Sequence, residues 1–230
     1  MPAWISARIT RLVSQKKKVW KKILFNPWTK RAIFVLCLVP AAVLLWRGFE
    51  GRLTANPVEF IEHSTGDWVL RFLLITLGIT PLRKIFNQPL LTRFRRMLGL
   101  FAFFYACVHL MMYLTFDQAF DVKAIWADVL KRPYITVGSA GLLMLIPLTV
   151  TSTAAMVRRM GPKNWQLLHR LIYFATLAGV IHYYWLVKSD VRQPLMYGAI
   201  LTLLMIWRVR MWTAKKPVTK PQPVPAGVSQ

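Results

Sequence analysis

Only two cysteines, Cys37 and Cys107, occur in the 230 residues, and both lie inside apolar runs. Neither a disulfide framework nor a CxxC metal site can be built from them, and buried thiols of this kind act as small hydrophobic filling. Acidic side chains are almost as scarce, eight against thirty-one Lys and Arg, for a formal net charge of +23. A soluble globule with that imbalance would repel itself. No Gly-x-Gly-x-x-Gly follows a strand-like run, there is no internal repeat, and the polar loops are too short for a nucleotide-binding module. A sequence pI near 10.9 suits a nucleic-acid binder, but long uncharged apolar runs do not, and nucleic acid is excluded as a partner.

What the chain has in plenty is apolar sequence, 56% hydrophobic and 13% aromatic. Windows near 20 residues predict six membrane spans at 31–47, 67–82, 97–116, 135–156, 165–187 and 195–212. The first contains Pro40, which a spanning helix tolerates when neighbours re-satisfy the freed backbone groups. With both termini inside, the inner segments hold 22 Lys and Arg and the outer ones 7, while all eight acids fall outside. Basic-residue bias sets topology, so the expected fold is an all-α, six-helix membrane bundle with both termini cytoplasmic. Residues 1–30 read as a basic extension, either an amphipathic helix on anionic lipid or a plain basic tail, and not as a signal peptide. Residues 31–212 form the membrane domain, and 213–230 a solvated Pro-rich tail. Trp and Tyr residues near both predicted interfaces form anchoring belts.

Three of the four histidines, His109, His169 and His182, lie within predicted spans. Ionisable groups in a bilayer point to function, although a histidine can also simply join helices by hydrogen bonds. Counted from the outer ends of the co-directional third and fifth spans, His109 lies roughly 12 Å deep and His182 roughly 9 Å deep. The two imidazoles thus reach one level. Ala102, Tyr105 and Ala106 lie on the helix face behind His109, and Ala175, Ala178 and Gly179 behind His182. Such small residues leave a slot for a flat ring, or serve close helix packing. Two nitrogen ligands are too few for zinc but suffice for a haem, whose iron then carries single electrons. His169 lies about 20 Å below His182 and some 140° around an ideal helix from it, so only a bulge in the fifth span would bring both to one face.

Further strings point the same way: Arg95-Arg-Met-Leu-Gly-Leu, His109-Leu-Met-Met-Tyr, Lys131-Arg-Pro-Tyr-Ile-Thr-Val-Gly, Thr149-Val-Thr-Ser-Thr, Leu168-His-Arg and Ile181-His-Tyr. In this order they resemble the MsrQ (YedZ) family, haem-binding membrane subunits of the bacterial periplasmic protein-methionine-sulfoxide reductase system. That family lies within the ferric-reductase-like transmembrane group. The resemblance covers about 31–212. It implies a multi-pass protein of the bacterial inner membrane, with haem b, an associated FMN, and electrons from the quinone pool or a cytoplasmic flavin reductase. It also implies delivery to a periplasmic molybdopterin subunit that reduces methionine sulfoxide, so that the chain is an electron-transfer subunit rather than the catalytic one. Carried over by position, His109 and His182 would ligate the haem. Two-haem members of the wider group carry a further histidine where Arg95 stands here, so the sequence does not support a second bis-histidine haem. His169 is left to ligate a haem with an unusual partner or to line a flavin or quinone site. Arg71 either snorkels to the outer surface beside Asp67 or pairs with a haem propionate; Arg170 has the same two readings at the inner face. A ferric reductase, and a haem-free six-span transporter or scaffold, are the rival functions.

Overall fold

The computed structural model describes residue 22 and residues 24–214. Most of the 1–30 extension and of the 213–230 tail lie outside the described residues. Among the described residues there are no strands. The long helices are α1 (Pro27–Phe49), α2 (Pro57–Ile85) and α3 (Thr92–Met112), the last preceded by a 3-10 turn, Pro89–Leu91. They continue with the short α4 (Val122–Lys131), then α5 (Pro133–Val150), the short α6 (Ala154–Met160) and α7 (Pro162–Leu168), α8 (Leu171–Leu186) and α9 (Arg192–Thr213).

The sequence explains where these helices start. Pro27, Pro57, Pro133 and Pro162 each occupy the first helical turn, where a missing N–H costs nothing. The side chains of Asn26 and Asn56 accept from Trp28 N and Glu59 N, and Asp121 caps α4 through Lys123 N and Ala124 N.

Among the described residues, four segments are long and apolar enough to cross a membrane: Pro27–Phe49, Pro89–Asp117, Pro133–Val150 and Arg192–Thr213. The predicted second span lies within α2, whose 29 residues run about 43 Å but carry Glu59, Glu62, Asp67, Arg71, Arg83 and Lys84. The predicted fifth span is not continuous. It breaks at His169 and Arg170, where Arg170 N bonds back only three residues to Leu167 O, and α8 keeps just 16 residues. A π-turn is present, but at the end of α3 over Tyr113–Asp117, four residues past His109.

The antiparallel pair α2–α3 is the packing centre and α5–α8 a second pair, with α9 against α8 and α2, and α1 outside α2 and α3. Tyr105, fully buried, holds α1 in place. A proline ring at position 40 disrupts the local ladder. The Tyr105 hydroxyl enters that gap, donating to Cys37 O at 2.8 Å and accepting from Ala41 N at 3.1 Å. This is the re-satisfaction that membrane prolines require. Around it, Trp68, Phe72 and Phe101 form a continuous aromatic stack. Tyr105→Phe leaves both backbone groups unpaired and is expected to destabilise the chain by about 1–2 kcal/mol, read as a lower Tm in detergent micelles.

Candidate paired-histidine site

His109 on α3 and His182 on α8 come together, ring centres 6.1 Å apart and ring planes at 82°. Each ring is fixed through the same nitrogen. His109 Nδ1 lies 3.0 Å from Glu62 O on α2, with Thr65 Oγ1 at 3.4 Å as a weaker second acceptor. His182 Nδ1 lies 2.7 Å from Tyr134 O on α5. A carbonyl only accepts, so Nδ1 carries the proton in both rings and Nε2 is left with its lone pair. That tautomer is the one a metal-ligating imidazole adopts when its other nitrogen is tied to a carbonyl.

Glycines make this geometry possible. A Cβ at Gly138 would stand 2.6 Å from His182 Nδ1 and 3.0 Å from its Cε1. At Gly66 the nearest His109 atom would be 3.4 Å away, an ordinary contact. α5 approaches His182 more closely than any side chain would permit. The same approach brings Tyr134 O within bonding range.

Both histidines line one cavity of about 360 Å³ between α2, α3, α5 and α8, within the range of small-molecule sites. Leu70, Leu73, Leu142 and Leu145 supply apolar wall, and Glu59, Glu62, Asp117 and Arg132 lie at its polar end. The small residues predicted to leave a slot divide between the two roles. Ala106, Ala175 and Gly179 line the cavity. Ala102 is fully buried, and the Ala178 methyl meets Gly141, where a Cβ would stand 3.4 Å from it. Those two serve helix packing.

Spacing tests what the pair can hold. At about 2 Å per metal–imidazole bond and about 1.1 Å from ring centre to ring nitrogen, imidazoles on opposite sides of one metal stand about 6.2 Å apart. The observed separation fits a shared metal. Among the described residues no group of three or more His, Cys, Asp or Glu could hold a metal ion, and the pair offers two nitrogen ligands.

The other predicted site residues lie elsewhere. His169 sits in the α7–α8 break, stacked on Trp165 at 3.9 Å. Its Nε2 is 3.2 Å from Thr151 Oγ1, whose own hydrogen goes to Pro147 O, so Nε2 is the donor and Nδ1 is left as the acceptor nitrogen. Arg71 does not line the cavity. It bonds Asp67 at 3.2 Å and Tyr197 at 3.0 Å, and lies over Trp68. Arg132, which sequence reasoning passed over, lines the cavity instead and pairs with Asp128. Arg170 lies over Trp212.

The family described as "Ferric reductase like transmembrane component" matches residues 65–180, which include His109 and His169 and stop two residues short of His182. A protein of Caulobacter vibrioides is 48% identical over 191 residues, covering 83% of this chain and 90% of its own. One from Xanthomonas euvesicatoria is 49% identical over 204 residues, covering 84% and 93%. One from Polaromonas naphthalenivorans is 44% identical over 211 residues, covering 91% of each. All three are named protein-methionine-sulfoxide reductase heme-binding subunit MsrQ.

The chain belongs to the MsrQ family. As an MsrQ-family, ferric-reductase-like chain it is a multi-pass membrane protein. The Polaromonas relative covers 91% of the chain, whereas the broader family match runs from residue 65 in α2 to residue 180 in α8.

Proposed function

We propose that this chain is a transmembrane electron-transfer subunit that holds one haem b between His109 and His182. The carrying observation is the pair of imidazoles 6.1 Å apart, each with Nδ1 tied to a backbone carbonyl. Haem b, held by His109 and His182, would supply a one-electron iron centre. His109 and His182 present their Nε2 lone pairs. The carbonyls of Glu62 and Tyr134 set the tautomer and increase the basicity of each ring. The leucine walls exclude water, and Arg132 is the cation placed to meet a carboxylate at the cavity's polar end.

In this reading α2 and the broken α7–α8 segment complete six spans, with both termini cytoplasmic in the bacterial inner membrane. The basic end, with His169 and Trp165, is the side where electrons enter from the quinone pool or a flavin reductase, with FMN as the associated flavin. The acid-bearing end faces the periplasm and a molybdopterin-containing methionine-sulfoxide reductase. The relatives' name, heme-binding subunit of a protein-methionine-sulfoxide reductase, supports partnership with such a reductase. Arg95 occupies the α3 position where a second haem would need an imidazole.

A pyridine haemochrome assay with protein quantified alongside is expected to give one haem per chain, retained in His169→Ala. Two haems per chain, or loss of the only haem in His169→Ala, contradicts the assignment. Mixing the reduced protein with either the purified reductase subunit or an Fe(III) chelate, and following haem reoxidation, separates methionine-sulfoxide repair from ferric reduction.

A further inference from the structure

The segment 117–134 reads from sequence as an outer loop, yet its centre is the helix α4. At 10 residues it spans about 15 Å, too short to cross a bilayer. Val122, Trp126 and Leu130 recur at four-residue spacing, hence on one face, and are 75%, 65% and 69% exposed. Ile125 and Val129, on the adjoining face, are half-buried, and α4 packs on α5. The apolar arc is therefore twice as wide as the bundle covers. Asp128 and the exposed Lys131 lie away from the stripe, and Lys123 borders it beside Leu130.

We infer that α4 is an interfacial helix, its Val122–Trp126–Leu130 stripe seated in the lipid of the leaflet at the acid-bearing end of the bundle. Three observations select lipid as the occupant. The stripe joins the exposed Phe116 and Phe120 and through them the lipid-facing surface of α3, a membrane-spanning segment. Its composition, apolar with a central Trp and Lys123 at one margin, is that of helices lying in the headgroup region. The chain enters α4 straight from the α3 π-turn through Ala119 and Phe120, both at positive φ, a turn that L side chains rarely adopt.

The seat has a consequence for the cavity. The Asp128 carboxylate accepts from Tyr113 Oη at 3.2 Å and Gln118 Nε2 at 2.7 Å, and pairs with Arg132 at 3.3 Å. Tyr113 and Arg132 are cavity wall. Lipid pressing on one face of α4 thus holds the polar rim through the other.

The test uses the full chain in liposomes, with single cysteines introduced by Trp126→Cys, Leu130→Cys or Lys131→Cys and labelled with an environment-sensitive fluorophore. The unsubstituted chain, with Cys37 and Cys107, gives the labelling background. Doxyl-lipid is expected to quench labels at 126 and 130 roughly threefold more than at 131, and aqueous iodide to show the reverse order. Because all three positions are exposed, folding does not depend on them. Iodide quenching at 126 and 130 equal to that at 131 overturns the inference. So does water access at 126 that is lost only when the purified reductase subunit is added, which would make the stripe a protein-docking face.

Discussion

His182→Ala is expected to reduce bound haem at least about tenfold, with the low-spin absorbance spectrum lost while the protein still inserts and purifies in normal yield. The side chain makes one hydrogen bond, to Tyr134 O, and lines a cavity rather than a packed core, so its removal leaves the helices supported. Losing one of two axial nitrogens, by contrast, removes half of what the chain offers the iron. Imidazole added to the variant has room in the enlarged cavity and should restore the low-spin spectrum. A merely structural histidine would not respond to such rescue. An unchanged spectrum in His182→Ala, or failure of imidazole to restore anything in a well-folded variant, defeats the ligand assignment.

Gly138→Ala should be nearly as damaging without touching a ligand. The new methyl would lie 2.6 Å from His182 Nδ1, well inside van der Waals contact. The ring can retreat only into the cavity, away from the carbonyl of Tyr134 that holds the same nitrogen at 2.7 Å, and so loses its hydrogen bond and its aim together. Overpacking costs about 1–3 kcal/mol, equivalent to about a tenfold or greater loss in haem affinity. Gly66→Ala is the matched control. Its methyl meets His109 Cε1 at 3.4 Å, and haem affinity should stay within about twofold. Haem titration of the two variants settles the matter; equal behaviour would show that α5 is not what positions His182.

The pairing of His109 with His182 was legible because it needed only two regularities, the rise per residue of a helix and the alternating direction of successive spans. The angular separation of His169 from His182 was legible for the same reason. How the chain resolves it was not. The α7–α8 break depends on the corner formed by Trp165, Thr151 and His169, residues up to 18 apart that interact only after folding. Six spans could be counted from composition, but α2 is too charged and α8 too short to meet the standard by which the other four are long and apolar enough. Helix α4 escaped notice because ten residues with three charges read as a loop in any window tuned to spans. The ligand-orienting groups left no trace at all, since Glu62 and Tyr134 contribute only carbonyl oxygens, which every residue type possesses. Gly138 stood inside a string quoted for family likeness, and only the coordinates show how closely it approaches the ring.

That last feature bears on how such a protein can vary over time. Because both imidazoles are steered by main chain rather than by side chains, no ordinary replacement at position 62 or 134 removes the acceptor. The electron richness of the two rings is therefore insulated from drift in the surrounding sequence. In the proposed haem complex, adjustment of the reduction potential would be left to the cavity walls and to the charges at its mouth, where single substitutions can retune it in small steps.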